Sequence, residues 1–193
     1  GEVVQRPASV IKEVLENAID AGATEIEISV QNAGKNLIQI IDNGVGMNET
    51  DARMCFERHA TSKIKKVDDP FDIHTFGFRG EAMASIAAVA LVELKTKETD
   101  ADLGVKIVVE DTKVLTQEPV ATKSGTSISV KNLFFNVPAR KNFLKSNKVE
   151  SRHISDEFIR AALSRPDISL KLFFDNELAY DLKKGTFRKR IIQ

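Results

Sequence analysis

The apolar residues change their spacing at Gly22, and that change constrains the fold more than any other feature of the chain. Ile11, Val14, Leu15, Ala18 and Ile19 follow the i, i+3, i+4, i+7, i+8 pattern of one helical stripe. Pro7 suits a helix's first turn and Gly22 its stop, so the spacing predicts a helix over 7–21. Ile26, Ile28 and Val30 then alternate with Glu25, Glu27 and Ser29, the pattern of a half-buried strand. Gly34-Lys35-Asn36 reads as a turn, and Leu37–Ile41 as a second strand. A helix and a sheet each hide one face, so such a chain must lay helices on a sheet.

The remaining sequence extends the pattern. Helices are expected from about Glu49 to Arg58, over Glu81–Val89, from Pro138 to Leu144 and over about 149–164, the last stopped by Pro166. Strands are expected at 90–97, 103–109, 126–131 and 168–174, with a short one near 113–116. Several of the later connections are of hairpin length. The expected class is therefore an α+β two-layer sandwich, with helices on one face of a mixed, mostly antiparallel sheet.

At 193 residues and 42% apolar content, one domain with a proper core is expected. The lone Cys55 excludes a disulfide framework and a thiolate-rich zinc site. No apolar run approaches the roughly 18 residues of a membrane span. Gly1–Pro7 has neither an initiator Met nor signal-peptide character, so the chain is expected to be part of something larger. The formal charge of zero comes from 28 basic and 28 acidic residues, unevenly placed. Residues 139–193 hold 13 Lys+Arg and 7 Asp+Glu, a net of +6, and residues 1–138 hold the other 15 and 21, a net of −6. The basic part, with Ala139–Lys145 and Arg188-Lys189-Arg190, is either ordinary solvated surface or a face for a polyanion.

The first helix has a second, polar face. Glu13, Asn17 and Asp20 lie at i, i+4 and i+7 and project from one side, with Glu16 close by. Acids in a helix's later turns oppose its dipole, by about 0.3–1 kcal/mol each when exposed. The face is either a solvated surface or a carboxylate and an amide oxygen arranged for a hard cation and a water. Mg²⁺ takes few protein oxygens and shares substrate phosphates, and a Glu one turn away can then act as general base. Asp42 ends an apolar strand, which puts its carboxylate at a pocket rim, and Gly44 and Gly46 clear side chains beyond it. That segment reads as a plain turn or as a site where a buried Asp accepts from an exocyclic amine such as that of adenine.

Gly77-Phe78-Arg79-Gly80 precedes an expected helix, where backbone N–H groups bind phosphate and Arg79 adds charge. The G-x-x-G spacing has innocent explanations too, and no P-loop segment occurs. Thr61, Ser62 and Lys63 supply hydroxyls and an ammonium, or else a helix end and its cap. His59, His74 and His153 are scattered without metal-ligand spacing. Cys55 reads as a small buried filler.

Taken in order, these pieces resemble a known family. Glu13-x-x-x-Asn17-x-x-Asp20-Ala21-Gly22-Ala23, Asp42-Asn43-Gly44-Val45-Gly46-Met47, Gly77-Phe78-Arg79-Gly80-Glu81-Ala82 and Gly125-Thr126 resemble the ATP-binding domain shared by gyrase, the large heat-shock chaperones, histidine kinases and MutL. Gly1–Ser9, Arg58–Lys63, Gly77–Ala82 and Leu133–Arg140 resemble the MutL mismatch-repair family within it, across essentially the whole chain. A gyrase-type ATPase domain and a non-hydrolysing nucleotide- or DNA-binding module are the alternatives.

The resemblance implies a Bergerat-type ATP-binding fold and roles position by position. Glu13 matches the general base, and Asn17 the Mg²⁺ ligand that links metal to phosphates. Asp42 matches the residue that binds the adenine amine, supported by Thr126 and the backbone near Ala21. Gly44 and Gly46 match hinge glycines, and Met47 a pocket wall. Thr61, Ser62 and Lys63 fall in a lid, and Gly77, Phe78, Arg79 and Gly80 in a phosphate-wrapping turn. Lys145 matches a basic residue implicated in DNA contact, with Arg140 and Lys141 beside it. Nucleotide motifs would occupy 1–138 and the DNA-facing part 139–193 of a single domain. The partners implied are DNA, mismatched or single-stranded, the mismatch-recognition protein MutS, and a second copy in an ATP-dependent dimer, all through the full-length protein. A cytoplasmic, nucleoid-associated bacterial location is implied as well.

Family members also carry a segment before Gly1, a second domain that supplies a lysine to the γ-phosphate, and a C-terminal dimerisation region. Weak or absent turnover and a monomeric state are therefore expected of this stretch alone. Met83, where Leu is usual, and Asn142, where Lys is usual, are smaller departures.

Overall fold

A computed structural model describes residues 4–58 and 81–193. In chain order its elements are α1 (Pro7–Asp20), β1 (Glu25–Gln31), a 3-10 turn (Asn32–Gly34), β2 (Leu37–Asp42), α2 (Glu49–Met54) and α3 (Ala82–Ala87). Then come β3 (Leu91–Lys97), β4 (Gly104–Glu110), β5 (Lys113–Val120), β6 (Gly125–Lys131), α4 (Pro138–Phe143), α5 (Asn147–Ser164), β7 (Ser169–Phe174), β8 (Glu177–Leu182) and α6 (Phe187–Ile192). The strands form one eight-stranded sheet in the order β5-β4-β3-β6-β2-β1-β7-β8. Only β1 and β7 run parallel, and the other described ladders are antiparallel. The expected α+β sandwich, with helices on one face of a mixed, mostly antiparallel sheet, is the fold observed.

Alternation along each strand decides which residues face the helices. Leu172, Ile28, Ile40, Ile128, Leu94 and Ile107 are register partners across six adjacent strands, and all are buried. They form one continuous aliphatic row beneath the helix layer. Val10, Ile11, Val14 and Leu15 of α1 and Ile154 and Phe158 of α5 belong to the same core. Each such side chain contributes roughly 1.5–3 kcal/mol relative to exposure.

The structure differs from the sequence expectation in places. The helix at Glu49 stops at Met54, and the one at Ala82 spans six residues. Ser146 caps α5 by accepting from the Val149 N–H, so that helix starts at Asn147. β5 runs on to Val120. β8 and α6 were not expected. As an edge strand β8 buries almost none of its side chains and shows no alternation, yet the pair Asp175-Asn176, both with positive φ, supplies the two-residue turn that makes it. α6 is short and basic, and Arg190 holds it by donating to the carbonyls of Pro166 and Ile168.

Candidate functional site

Two residues along from the aliphatic row, on the same face, the chemistry of the sheet changes. The register partners there are Ile26, Asp42, Thr126, Thr96 and Val105. Three adjacent strands thus place Asp42, Thr126 and Thr96 side by side on the face that the helices cover. They are 8%, 7% and 0% exposed, so a buried polar strip replaces aliphatic side chains at this end of the sheet. Buried polar groups need partners, and each of the three has them.

The Asp42 carboxylate accepts the backbone N–H of Gly44 at 2.8 Å. Burial raises its pKa from the usual carboxylate value to about 6, against the opposing pull of the Gly44 and Thr126 backbone amides. The loop beyond is tied to the end of α1. Val45 donates to the Ala21 carbonyl at 3.0 Å, and Asn43 Oδ1 accepts from the amides of Thr24 and Glu25. Gly44 sits where a Cβ would lie 2.8 Å from the Ala21 carbonyl oxygen and 3.0 Å from the Asp42 carboxylate. Gly46 and Gly125 have φ of +69° and +113°, and a Cβ there would overlap the carbonyls of Lys97 and Asp42 respectively. Both positions therefore need glycine for conformation and for space.

Thr96 is the residue the sequence reading missed. Its hydroxyl accepts the Met47 N–H at 2.9 Å, reaches the Gly125 carbonyl at 3.0 Å and lies 3.0 Å from the Thr126 hydroxyl. A signal was available: after Val92 and Leu94, alternation puts residue 96 on the buried face, where a polar side chain is out of pattern.

Above this strip, α1 presents the face that runs through Glu13, Asn17 and Ala21. Asn17 is 7% exposed, and Glu13 and Asp20 are half-buried. Burial raises the Glu13 pKa, with the neighbouring Glu16 charge adding to it and Lys12 opposing it. At 1.5 Å per residue, Glu13 and Ala21 are about 12 Å apart along the helix axis. The Asp42 loop thus meets α1 at Ala21, Glu13 lies two turns away along the helix, and Asn17 is midway between Glu13 and Ala21.

Thr61, Ser62, Lys63, Gly77, Phe78, Arg79 and Gly80 lie outside the described residues, as do His59 and His74. Among the described residues no group of three His, Cys, Asp or Glu side chains could hold a metal. The Cys55 thiol donates to the Ala52 carbonyl at 3.0 Å, and burial, then the Asp51 charge, pushes it far above the usual thiol range. The basic candidates lie elsewhere, on α4 and the loop after it. Arg140 is half-buried, donates to the Val4 carbonyl at 3.0 Å and lies 5.7 Å from the centre of the Phe134 ring. Lys141 and Lys145 are exposed. Their loop is pinned by Glu150, which accepts the Lys145 N–H at 2.8 Å, and by Lys35, which donates to the Lys145 carbonyl at 3.0 Å.

The family described as "Histidine kinase-, DNA gyrase B-, and HSP90-like ATPase" matches residues 5–136, the stretch that holds the polar strip and the α1 face. The ADP-complexed MutL ATPase domain of Aquifex aeolicus superimposes with a TM-score of 0.81 at 30% identity, over 98% of this chain and 68% of that one. The chain belongs to this ATPase family, in its MutL branch. The DNA mismatch repair protein MutL of Flavobacterium johnsoniae is 56% identical over 192 residues, and that of Christiangramia forsetii 59% identical over 191. The chain spans about three-tenths of the length of these MutL relatives. Among the described residues no helix is long and apolar enough to cross a membrane.

Proposed function

We propose that this chain binds ATP with Mg²⁺ and hydrolyses it, as the switch domain of a MutL-type mismatch-repair protein. The observation that carries the reading is the buried strip Asp42–Thr126–Thr96 whose loop is tied to α1 at Ala21, with Asn17 and then Glu13 one and two turns further back along the same helix. An acceptor at a pocket floor, an amide midway and a base at the far end suit an adenine, a metal-bridged polyphosphate and a water in that order. That the Aquifex relative was solved with ADP supports the choice of ligand.

The residues present fit the nucleotide and the metal. Asp42 offers an acceptor whose surroundings leave no room for a Cβ at Gly44 or Gly125. Asn17 offers one neutral oxygen, suited to a cation that shares phosphates rather than sitting in an all-protein cage. Bound there, Mg²⁺ would supply charge neutralisation on the phosphates. Asp42 orients the base, with Thr126 beside it and Met47 as a wall. Glu13 accepts a proton at its carboxylate as the oxygen of a water bonds the terminal phosphorus and the bridging P–O bond breaks. Its raised pKa brings that carboxylate nearer to the range a general base needs. Positioning and charge neutralisation do most of the catalysis in such transfers.

In the longer protein, nucleotide binding would order the site and favour a dimer, and hydrolysis would release it. Lys141 and Lys145 would contact DNA phosphates, with MutS as a further partner and the bacterial cytoplasm as the place. The reading is tested by isothermal titration with a nonhydrolysable ATP analogue and Mg²⁺. Binding by the wild type that Asp42→Asn abolishes is expected, and equal affinity of the two removes the adenine role. A phosphate-release assay separates a turning-over ATPase from a module that only binds.

A further inference from the structure

We infer that Thr96 sets which purine the site accepts, by fixing the direction in which Thr126 presents its hydroxyl. The inference deepens the nucleotide reading and rests on it. Thr96 is fully buried, and its single hydroxyl meets three groups: the Met47 N–H, the Gly125 carbonyl and the Thr126 hydroxyl. The Met47 N–H can only donate and the Gly125 carbonyl can only accept. A hydroxyl has one proton and two lone pairs. One arrangement makes all three bonds: Thr96 gives its proton to Gly125 and accepts from both Met47 and Thr126.

The Thr126 proton is then committed to Thr96. What Thr126 has left for the pocket is lone pairs, on the strand next to Asp42 and in register with it. Both side chains therefore present acceptors there. An exocyclic amine, as on adenine, satisfies such a pair, and a ring carbonyl, as on guanine, meets only lone pairs. Thr96 never touches the base in this account. It is a positioning residue, and the same bonds link the Met47 wall to the Asp42–Thr126 floor. Without its hydroxyl, Thr126 is free to turn its proton towards the pocket and tolerate a carbonyl.

The experiment is titration of wild type, Thr96→Val and Thr96→Ser with nonhydrolysable ATP and GTP analogues in Mg²⁺, folding being checked by circular dichroism. Thr96→Val is expected to lower the preference for ATP over GTP by about tenfold or more, and Thr96→Ser to keep it. A folded Thr96→Val with the wild-type preference overturns the inference, as does a Thr96→Ser that loses it. If Thr96→Val does not fold, Thr96→Cys, whose thiol is a weak partner, takes its place with the same expected loss. Thr126→Val gives an independent arm: unchanged preference there also overturns the inference. A wild type that binds neither analogue, or an Asp42→Asn that binds normally, contradicts the nucleotide reading itself. A selective wild type with an unmoved Thr96→Val contradicts only the role of Thr96.

Discussion

Asp42 and Gly125 are packed so closely that a Cβ on residue 125 would overlap the Asp42 carbonyl. The chain end of β2 and the start of β6 are thereby locked together at the place where the carboxylate must stand. Gly125→Ala is accordingly expected to cost at least about 1–3 kcal/mol from strain alone, measured by urea unfolding. It should also weaken nucleotide binding, because the backbone that must move carries Asp42. Gly46→Ala, against the Lys97 carbonyl, should destabilise comparably.

The Asp42 carboxyl makes the fold less stable than it could be. Its pKa lies at about 6 in the folded chain and near 3.8 unfolded. The folded state therefore holds the proton more tightly, and stability from this group is present at low pH and lost as pH rises from about 4 through 6. By linkage the loss amounts to roughly 3 kcal/mol above that range. Asp42→Asn should melt at a higher temperature than wild type at pH 8, with the difference vanishing towards pH 4. A variant that gains stability while losing its ligand is the signature of a functional residue.

The same titration should appear in binding. Below about pH 6 the carboxyl takes up a proton and is a poorer acceptor for an amine. Affinity for the ATP analogue should fall between pH 7 and pH 5, and calorimetry in buffers of different ionisation enthalpy should show proton release on binding near pH 6. A flat profile over that range contradicts the role given to Asp42.

Glu13→Ala should leave analogue affinity within about threefold and reduce phosphate release by about a hundredfold or more, the scale of general-base catalysis. Undiminished phosphate release removes Glu13 as the base. Lys141→Ala and Lys145→Ala should each lower the salt dependence of single-stranded DNA binding by about one ion, with no effect on the nucleotide.

Much of the fold was legible in the sequence. The α1 stripe and the alternation at Ile26, Ile28 and Val30 depend only on local spacing, and burial of one face enforces it. Glu13, Asn17 and Asp42 were singled out as candidates by residue types at fixed intervals on elements that did form, and the roles proposed for them rest on the family resemblance. Thr96 was not found because its meaning lies in register: only pairing β3 with β6 sets it beside Thr126. β8 was missed because an edge strand has little to bury. The hydrogen bond from Arg140 to Val4 was hidden for the same reason as Thr96, since 136 residues separate the partners.

The most direct measurement is a crystal structure of the chain with a nonhydrolysable ATP analogue and Mg²⁺. The expected result is the adenine amine within hydrogen-bonding distance of the Asp42 carboxylate, the Asn17 oxygen on the metal, and the terminal phosphate at the Glu13 end of α1. A base bound away from Asp42, or phosphates running towards Ala21 instead of Glu13, would contradict it.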